Sequence, residues 1–360
     1  MTSRRVGAIM FLVVAGLGGC RVSKPPATVP SAQGASQLAP ILSTRDVPFR
    51  VINLTSNGNL LWICGSNESI AVSHDNGTHW EVKHVKTASE RTLLEIDFAS
   101  ENFGYTTGTG GLLLTTTDGG ETWIDHNFTD QTIAQASFSD ENHGVVRAAD
   151  SVLFTVDGEL HWASVSEGQN AEIMHHFRHV FSVVALDDSR MGVMLKEGGA
   201  QYFSQAFLFT QDSGKSWIAS SIPNVTLYSF LRREGLYWAV GTEVIHKDQP
   251  GGGYAVPVAL YSSDGESWKH SNADLSACQL RMCTVCNTQG CLYANGGIAR
   301  FFSGTTTLFE FPPNKELTTR WASTGSAFCF VHSGKVECTA LKSAQTPNPS
   351  DFPVPPVVVP

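Results

Sequence analysis

Between residues 50 and 340 the chain alternates short apolar runs with polar, glycine-rich breaks. Leu60-Leu61-Trp62-Ile63, Ile70-Ala71-Val72, Gly111-Leu112-Leu113-Leu114, Phe207-Leu208-Phe209 and Ala259-Leu260-Tyr261 are too short for helices and suit strands. Most lead into one recurring pattern. It reads Ser73-His74-Asp75-Asn76-Gly77-Thr78-His79-Trp80, then Thr116-Thr117-Asp118-Gly119-Gly120-Glu121-Thr122-Trp123. It returns as Thr155-Val156-Asp157-Gly158-Glu159-Leu160-His161-Trp162 and Thr210-Gln211-Asp212-Ser213-Gly214-Lys215-Ser216-Trp217, and, one residue shorter, as Ser262-Ser263-Asp264-Gly265-Glu266-Ser267-Trp268. The steps between successive tryptophans are 43, 39, 55 and 51 residues. Periods of that length indicate a propeller or a solenoid.

The residue types suit a tight turn. An aspartate accepts backbone N–H bonds within a loop, as in an Asx-turn. Glycine adopts a conformation that a Cβ opposes, and the leading Ser or Thr hydroxyl adds a local bond. The tryptophan is expected on the following strand, with its ring between neighbouring sheets. Two further blades lack the pattern. Residues 277–312 carry strand-like runs at 281–285, 292–295 and 298–302, and residues 319–343 at 320–323, 328–332 and 335–340. The expectation is an all-β propeller of seven blades, with six as the alternative. A segment near residues 40–50 is expected to pair into the last blade and remove a free sheet edge.

The repeated pattern resembles the Asp box of bacterial-neuraminidase-repeat propellers, which joins the third and fourth strands of a blade. That resemblance assigns structural roles to Asp75, Trp80, Asp118, Trp123, Asp157, Trp162, Asp212, Trp217, Asp264 and Trp268. The third box is degenerate, with Val156 and Leu160 at polar positions and Glu159 where glycine is usual. Within the second repeat, the run Leu94-Glu95-Ile96-Asp97-Phe98 leads to Phe103-Gly104-Tyr105, Gly108, Gly111 and the box. This order is similar to the repeats of photosystem II stability/assembly factor-type propellers. The third repeat echoes it in Phe138 to Gly144, and the likeness covers roughly residues 46–270. It implies an assembly or binding role more loosely than it implies the fold.

The first residues, MTSRRVGAIMFLVVAGLGGC, combine Arg4 and Arg5 with an apolar stretch from Gly7 to Leu17. They end in Leu17-Gly18-Gly19-Cys20, which resembles a bacterial lipobox with Cys20 as the acylated residue. The organisation read here is a signal peptide at 1–19, a Pro/Ala/Ser/Gln-rich tether at 20–45, the propeller at 46–345 and a Pro-rich tail at 346–360. An exported protein of the cell envelope follows, periplasmic or at the cell surface, holding the membrane through its lipid alone.

The formal net charge is −9, with only 16% charged residues. No Lys/Arg cluster offers the basic face that nucleic acid requires. The partner expected is an unidentified envelope protein or peptide, and the chain is read as a monomer without cofactor or metal.

Six of the eight cysteines fall after residue 277. Export favours disulfides, and the candidate pairs are Cys329 with Cys338, Cys286 with Cys291, and Cys278 with Cys283. Sequence alone does not fix the connectivity. Cys64 lies in an apolar run and reads as a buried free thiol. His175, His176 and His179 form the one histidine cluster and read as polar loop residues.

Asp boxes also occur in sialidases. That resemblance would require an arginine triad, a Tyr nucleophile with a Glu partner, and an Asp acid. The nearest match to the first arginine motif, Phe49-Arg50-Val51-Ile52, lacks its proline. Arg232, Arg233, Arg281, Arg300 and Arg320 sit in no motif, and Asp187-Asp188 reads as a solvated turn. No catalytic residue is assigned.

Overall fold

The computed structural model describes residues 47–271, interrupted at 87, 127–128, 150, 159–160, 166–171, 173, 175–178, 197–204, 223–224, 234 and 247–252. It also describes 42–43, the strand backbones between 284 and 310, and 320–340 without 325–326. Strand β1 is Leu42–Ser43. The next four, β2 (Val51–Asn57), β3 (Leu60–Gly65), β4 (Ser69–Ser73) and β5 (Glu81–His84), form one antiparallel sheet in that order. The same plan repeats in β6 (Leu93–Phe98), β7 (Gly104–Gly108), β8 (Leu113–Thr116) and β9 (Ile124–Asp125). A third sheet holds β10 (Ile133–Phe138), β11 (Gly144–Ala148), β12 (Ser151–Thr155) and β13 (Ala163–Ser164). A fourth holds β14 (His179–Ala185), β15 (Met191–Lys196), β16 (Gln205–Thr210) and β17 (Ile218–Ser220). The fifth contains β18 (Val225–Arg233), β19 (Leu236–His246), β20 (Gly253–Ser262) and β21 (Lys269–His270). The sixth contains β22 (Thr284–Asn287), β23 (Gly290–Asn295), β24 (Ile298–Phe302) and β25 (Thr306–Glu310).

The seventh sheet completes the circuit. Its order is β1-β28-β27-β26, from β26 (Trp321–Ser323), β27 (Ala327–His332) and β28 (Lys335–Ala340). Its outer strand therefore comes from the other end of the chain, with Leu42 opposite Cys338 and Ser43 opposite Glu337. The pairing covers an edge that would otherwise leave backbone donors and acceptors unpaired. The architecture is a β-propeller, with seven four-stranded antiparallel sheets among the described residues. The two regions without boxes supply the sixth and seventh sheets, and the sixth has a strand at Thr306–Glu310 that the apolar pattern did not reveal. No helix of the described residues is long and apolar enough to cross a membrane.

The core lies between sheets. One buried cluster joins Trp62, Ile70 and Val72 of the first sheet to Leu93, Ile96 and Leu114 of the second. Another joins Leu54, Leu61 and Ile63 of the first to Ala327, Cys329 and Val336 of the seventh. The other three clusters bridge the second and third, third and fourth, and fourth and fifth sheets. Hence the middle strands bury both faces: β4, β7 and β8 are buried at every position. This explains why their sequences show no clean alternation of apolar and polar positions.

Each innermost strand of the first five sheets carries one register shift at the same point. It falls between Val51 and Asn53, Leu93 and Glu95, Ile133 and Gln135, Val180 and Ser182, and Leu227 and Ser229. A bulge re-aims the residues beside it, and in every case the residue just after it is polar.

Candidate functional site

The five boxes lie where the sequence pattern places them along the chain, between the third and fourth strands of the first five sheets. In the first, Ser73 Oγ donates to Asp75 Oδ1 at 2.9 Å and accepts from Gly77 N at 2.8 Å. Asp75 Oδ1 also accepts from the N–H groups of Thr78 (3.1 Å) and His79 (2.8 Å). The second repeats this through Thr116, Asp118, Gly120 and Thr122, and the fourth through Thr210, Asp212, Gly214 and Ser216. In the fifth, Ser262 and Asp264 hold Gly265 and Ser267. In the third, Asp157 keeps its bonds to Thr155 and His161, while Glu159 and Leu160 lie outside the described residues. The Asp118 carboxyl is held down at about 2, chiefly by the Thr122 hydroxyl and then its N–H. Burial pushes Asp75 up, but the His79 and Ser73 bonds outweigh it and hold it near 2 as well.

The tryptophans come immediately before the fourth strands. Trp80, Trp123, Trp162, Trp217 and Trp268 each pack against the core shared with the preceding sheet. The box glycine approaches that sheet too. A Cβ on Gly120 would fall 2.2 Å from the Trp62 ring, one on Gly214 2.1 Å from Phe154, and one on Gly265 2.7 Å from Phe209. On Gly77 it would fall 2.5 Å from Cys338 Sγ, so at the closing seam the disulfide stands where an aromatic ring stands elsewhere. The boxes thus fasten neighbouring sheets, and none of their aspartates lines the cavity described next.

The innermost strands converge on a cavity of about 200 Å³. Residues of β2, β6, β10, β14 and β18 line it, with Tyr105 of β7, Arg320 just before β26 and Trp321 at its start. Side chains beside the bulges stitch each strand to the next. Asn53 Nδ2 donates to Leu94 O (3.2 Å), Ala136 N to Glu95 Oε2 (2.7 Å), Val183 N to Gln135 Oε1 (3.2 Å) and Ser182 Oγ to Phe230 O (3.0 Å). Arg320 Nη1 donates to Ile52 O across the closing seam.

Glu95 and Asp97 stand two apart on β6, so both project from the same face. Burial pushes Glu95 up to about 8, with the Asp97 charge adding to it against the Ala136 N–H bond. Burial raises Asp97 as well, opposed by the Phe98 backbone, Arg232 and the bonds from Thr55 Oγ1 (3.1 Å) and Tyr105 Oη (3.5 Å). Burial and the two acids push the Tyr105 phenol well above its ordinary value, which leaves it a poor nucleophile at neutral pH. Sequence reading gives these acids no role. The available cue was two carboxylates at alternate positions of an apolar strand, Leu93-Leu94-Glu95-Ile96-Asp97-Phe98.

The other candidate residues disperse. Arg50 is exposed and does not line the cavity, whereas Arg232 and Arg320 do. The Arg233 and Arg300 side chains and all of Arg281 lie outside the described residues. Asp187 caps its own turn by accepting from Ser189 N and Arg190 N, and pairs with the Arg190 side chain. Cys329 and Cys338 form a disulfide between β27 and β28. Their Cα atoms are 4.1 Å apart, in keeping with a closely spaced, non-hydrogen-bonded site. The hairpin turns at Ser333 (φ 51°) and Gly334 (φ 76°), both left-handed. Cys286 and Cys291 are directly opposed in register, though their side chains lie outside the described residues. Cys20, Cys278, Cys283, His175, His176, the tail and the tether apart from Leu42–Ser43 lie outside them; those two residues pair with β28. Cys64 is a buried free thiol, pushed up to about 12 by burial. Among the described residues no group of three or more His, Cys, Asp or Glu is placed to hold a metal.

No family model matches the chain. In sequence it is similar to the photosystem II assembly lipoprotein Ycf48 of Synechococcus sp. (strain CC9902), 28% identical over 179 residues. The match covers 48% of this chain and 52% of that protein, so the chain spans about half the length of the relative it matches. In structure it is similar to YCF48 from Cyanidioschyzon merolae, with a TM-score of 0.54 and 13% identity, over 84% of this chain and 98% of that one. The Dos1 propeller gives a TM-score of 0.51 and 12% identity, over 84% of this chain and 95% of its own. At such identities the likeness shows the fold. The chain is a β-propeller that resembles the photosystem II assembly factor in sequence over about half its length and in fold over most of it.

Proposed function

We propose that the chain is a non-enzymatic binding or assembly module of the cell envelope, similar in role to the photosystem II assembly factor. In this reading a monomeric, seven-bladed propeller is tethered through lipid on Cys20 and holds a protein or peptide partner where its innermost strands converge. The observation that carries it is the axial cavity: charged groups, a buried aromatic wall and cross-strand hydrogen bonds make a rigid polar socket. The name of the Synechococcus relative, an assembly lipoprotein, supports both the role and the anchor. Leu17-Gly18-Gly19-Cys20 supports the anchor independently.

A glycoside hydrolase reading has one observation in its favour, since two carboxylates, both pushed up by burial, line one cavity. Geometry opposes it. Both acids hang from one strand and cannot flank a glycosidic bond from opposite sides. The cavity is also smaller than the roughly 300–1,000 Å³ that holds a drug-sized ligand.

The test is affinity capture of the mature, lipidated protein from cross-linked envelope membranes, alongside turnover measurements on a panel of fluorogenic glycosides. A reproducible partner without turnover supports the reading. Turnover abolished by Glu95→Gln or Arg50→Ala would refute it. For the anchor, Cys20→Ala is expected to move the protein to the soluble fraction; unchanged membrane retention contradicts it.

A further inference from the structure

Four ionisable side chains line the axial cavity: Glu95 and Asp97 from β6, Arg232 from β18, and Arg320 just before β26. Among the described residues no ion pair within 4.0 Å joins either acid to either arginine. The acids are instead held by Ala136 N, Thr55 Oγ1 and Tyr105 Oη, and Arg320 by Ile52 O. Arg232 makes no hydrogen bond or ion pair with any described residue. All four are half-buried, and opposite charges partly withdrawn from water ordinarily close into a direct pair, because a charge left unpaired there is costly. Here the strand bonds hold them apart across an open space. Their attraction still registers, since Arg232 favours the Asp97 carboxylate, and Arg147, outside the cavity lining, and then Arg320 favour that of Glu95.

We infer that this cavity binds a ligand presenting a cationic and an anionic group together, the cation between Glu95 and Asp97 and the anion on Arg232. The inference rests on the reading of the cavity as the docking point and names the chemistry of its occupant. A single charge would satisfy one wall and leave the other unpaired. A paired ammonium and carboxylate satisfies both, with the Arg232 guanidinium free to grip the carboxylate through two parallel N–H bonds. At about 200 Å³ the space suits one amino-acid-sized group. That group is either a free zwitterion or a basic and an acidic side chain side by side on a partner's segment. Seating a cation there favours the ionised form of Glu95, which holds its proton up to about pH 8, so binding releases a proton.

The experiment is calorimetric titration of the full mature chain in detergent. The probes are glycine, 4-aminobutyrate and 6-aminohexanoate as zwitterions of increasing charge separation, n-butylamine and butyrate as single charges, and the capped peptide Gly-Lys-Glu-Gly. At least one paired-charge probe is expected to bind tenfold or more tighter than both single charges. Asp97→Asn and Arg232→Gln are each expected to cost about tenfold or more, the worth of a charged hydrogen bond. Lys215→Ala, exposed and remote from the cavity, is expected to change nothing. Binding of the peptide alone identifies a partner segment as the source, and binding of a free zwitterion identifies a small molecule. On the unaltered protein, heats that vary with buffer ionisation enthalpy report the released proton, so the inference stays testable if a variant misfolds. Equal affinity for single-charge probes, persistence of binding in both variants, or no binding by any probe overturns it. A partner captured by a protein that binds none of the probes sinks this inference and leaves the docking reading standing; a protein that captures no partner and binds no probe sinks both.

Discussion

Gly120→Ala tests whether the box glycines are there for close approach between sheets. Gly120 has φ +96°, and an added Cβ would fall 2.2, 2.7 and 2.8 Å from three atoms of the Trp62 indole. That ring is 1% exposed and braced by Phe98 and Trp123, with centroids 5.2 and 6.2 Å away, so it has nowhere to retreat. The cost separates into two parts. A left-handed alanine costs about 1–2 kcal/mol by itself, and forcing a methyl into a filled core adds about 1–3 kcal/mol. Gly58→Ala isolates the first part, because Gly58 sits at φ +60° with nothing within 4 Å of the new Cβ. Gly119→Ala is intermediate: φ is +73° and the only contact is Glu101 O at 3.3 Å. The expected order of destabilisation is Gly120 well above Gly119, with Gly119 slightly above Gly58. In thermal unfolding, a total near 2–5 kcal/mol on a body of this size lowers Tm by about 3–8 °C. Denaturant midpoints at unchanged steepness provide the second readout. Combining Gly120→Ala with Trp62→Phe is expected to cost less than the sum of the two, since the smaller ring returns the missing space. If Gly120→Ala and Gly58→Ala fall within about 0.5 kcal/mol of each other, the wedge argument is wrong.

Three further outcomes follow from the geometry. Because Glu95 binds its proton up to about pH 8 when folded, against an ordinary 4.5, its contribution is complete below pH 4.5 and is lost as pH rises through 8. Glu95→Gln, which still accepts from Ala136 N, is expected to flatten the stability profile between those limits; an unchanged slope in pH-resolved unfolding rejects the assignment. Replacing Cys329 and Cys338 together by serine opens a loop of sequence separation 9 and is expected to cost about 2–3 kcal/mol by the loop-entropy relation. An unchanged Tm on adding reductant to the unaltered protein contradicts this. Thr116→Val leaves Gly120 N without its buried acceptor at 2.9 Å and is expected to cost about 1–3 kcal/mol, measured as a shift in denaturant midpoint.

The repeat and the strands that precede it were legible because their causes are local. An aspartate, a glycine and a hydroxyl within a few residues fold one turn wherever they occur, so Ser73 to Trp80 and its four copies announce themselves without knowledge of their neighbours. The Cys329–Cys338 pair was legible for the same reason, since Ser333-Gly334 sets the register of its own hairpin. The pairing of residues near 40–50 into the last sheet followed from the need to cover an edge. The cavity had no such local cause. The Glu95–Asp97 pair, Arg232 and Arg320 are far apart in sequence and meet only because closure brings the innermost strands to one axis. The bulges that turn Asn53, Glu95, Gln135 and Ser182 toward the adjacent strand leave no composition of their own. Sequence therefore decided which corners form, and only the closed ring decided which charges share a cavity, because turns obey contacts a few residues apart whereas a site on the axis depends on every sheet being in place.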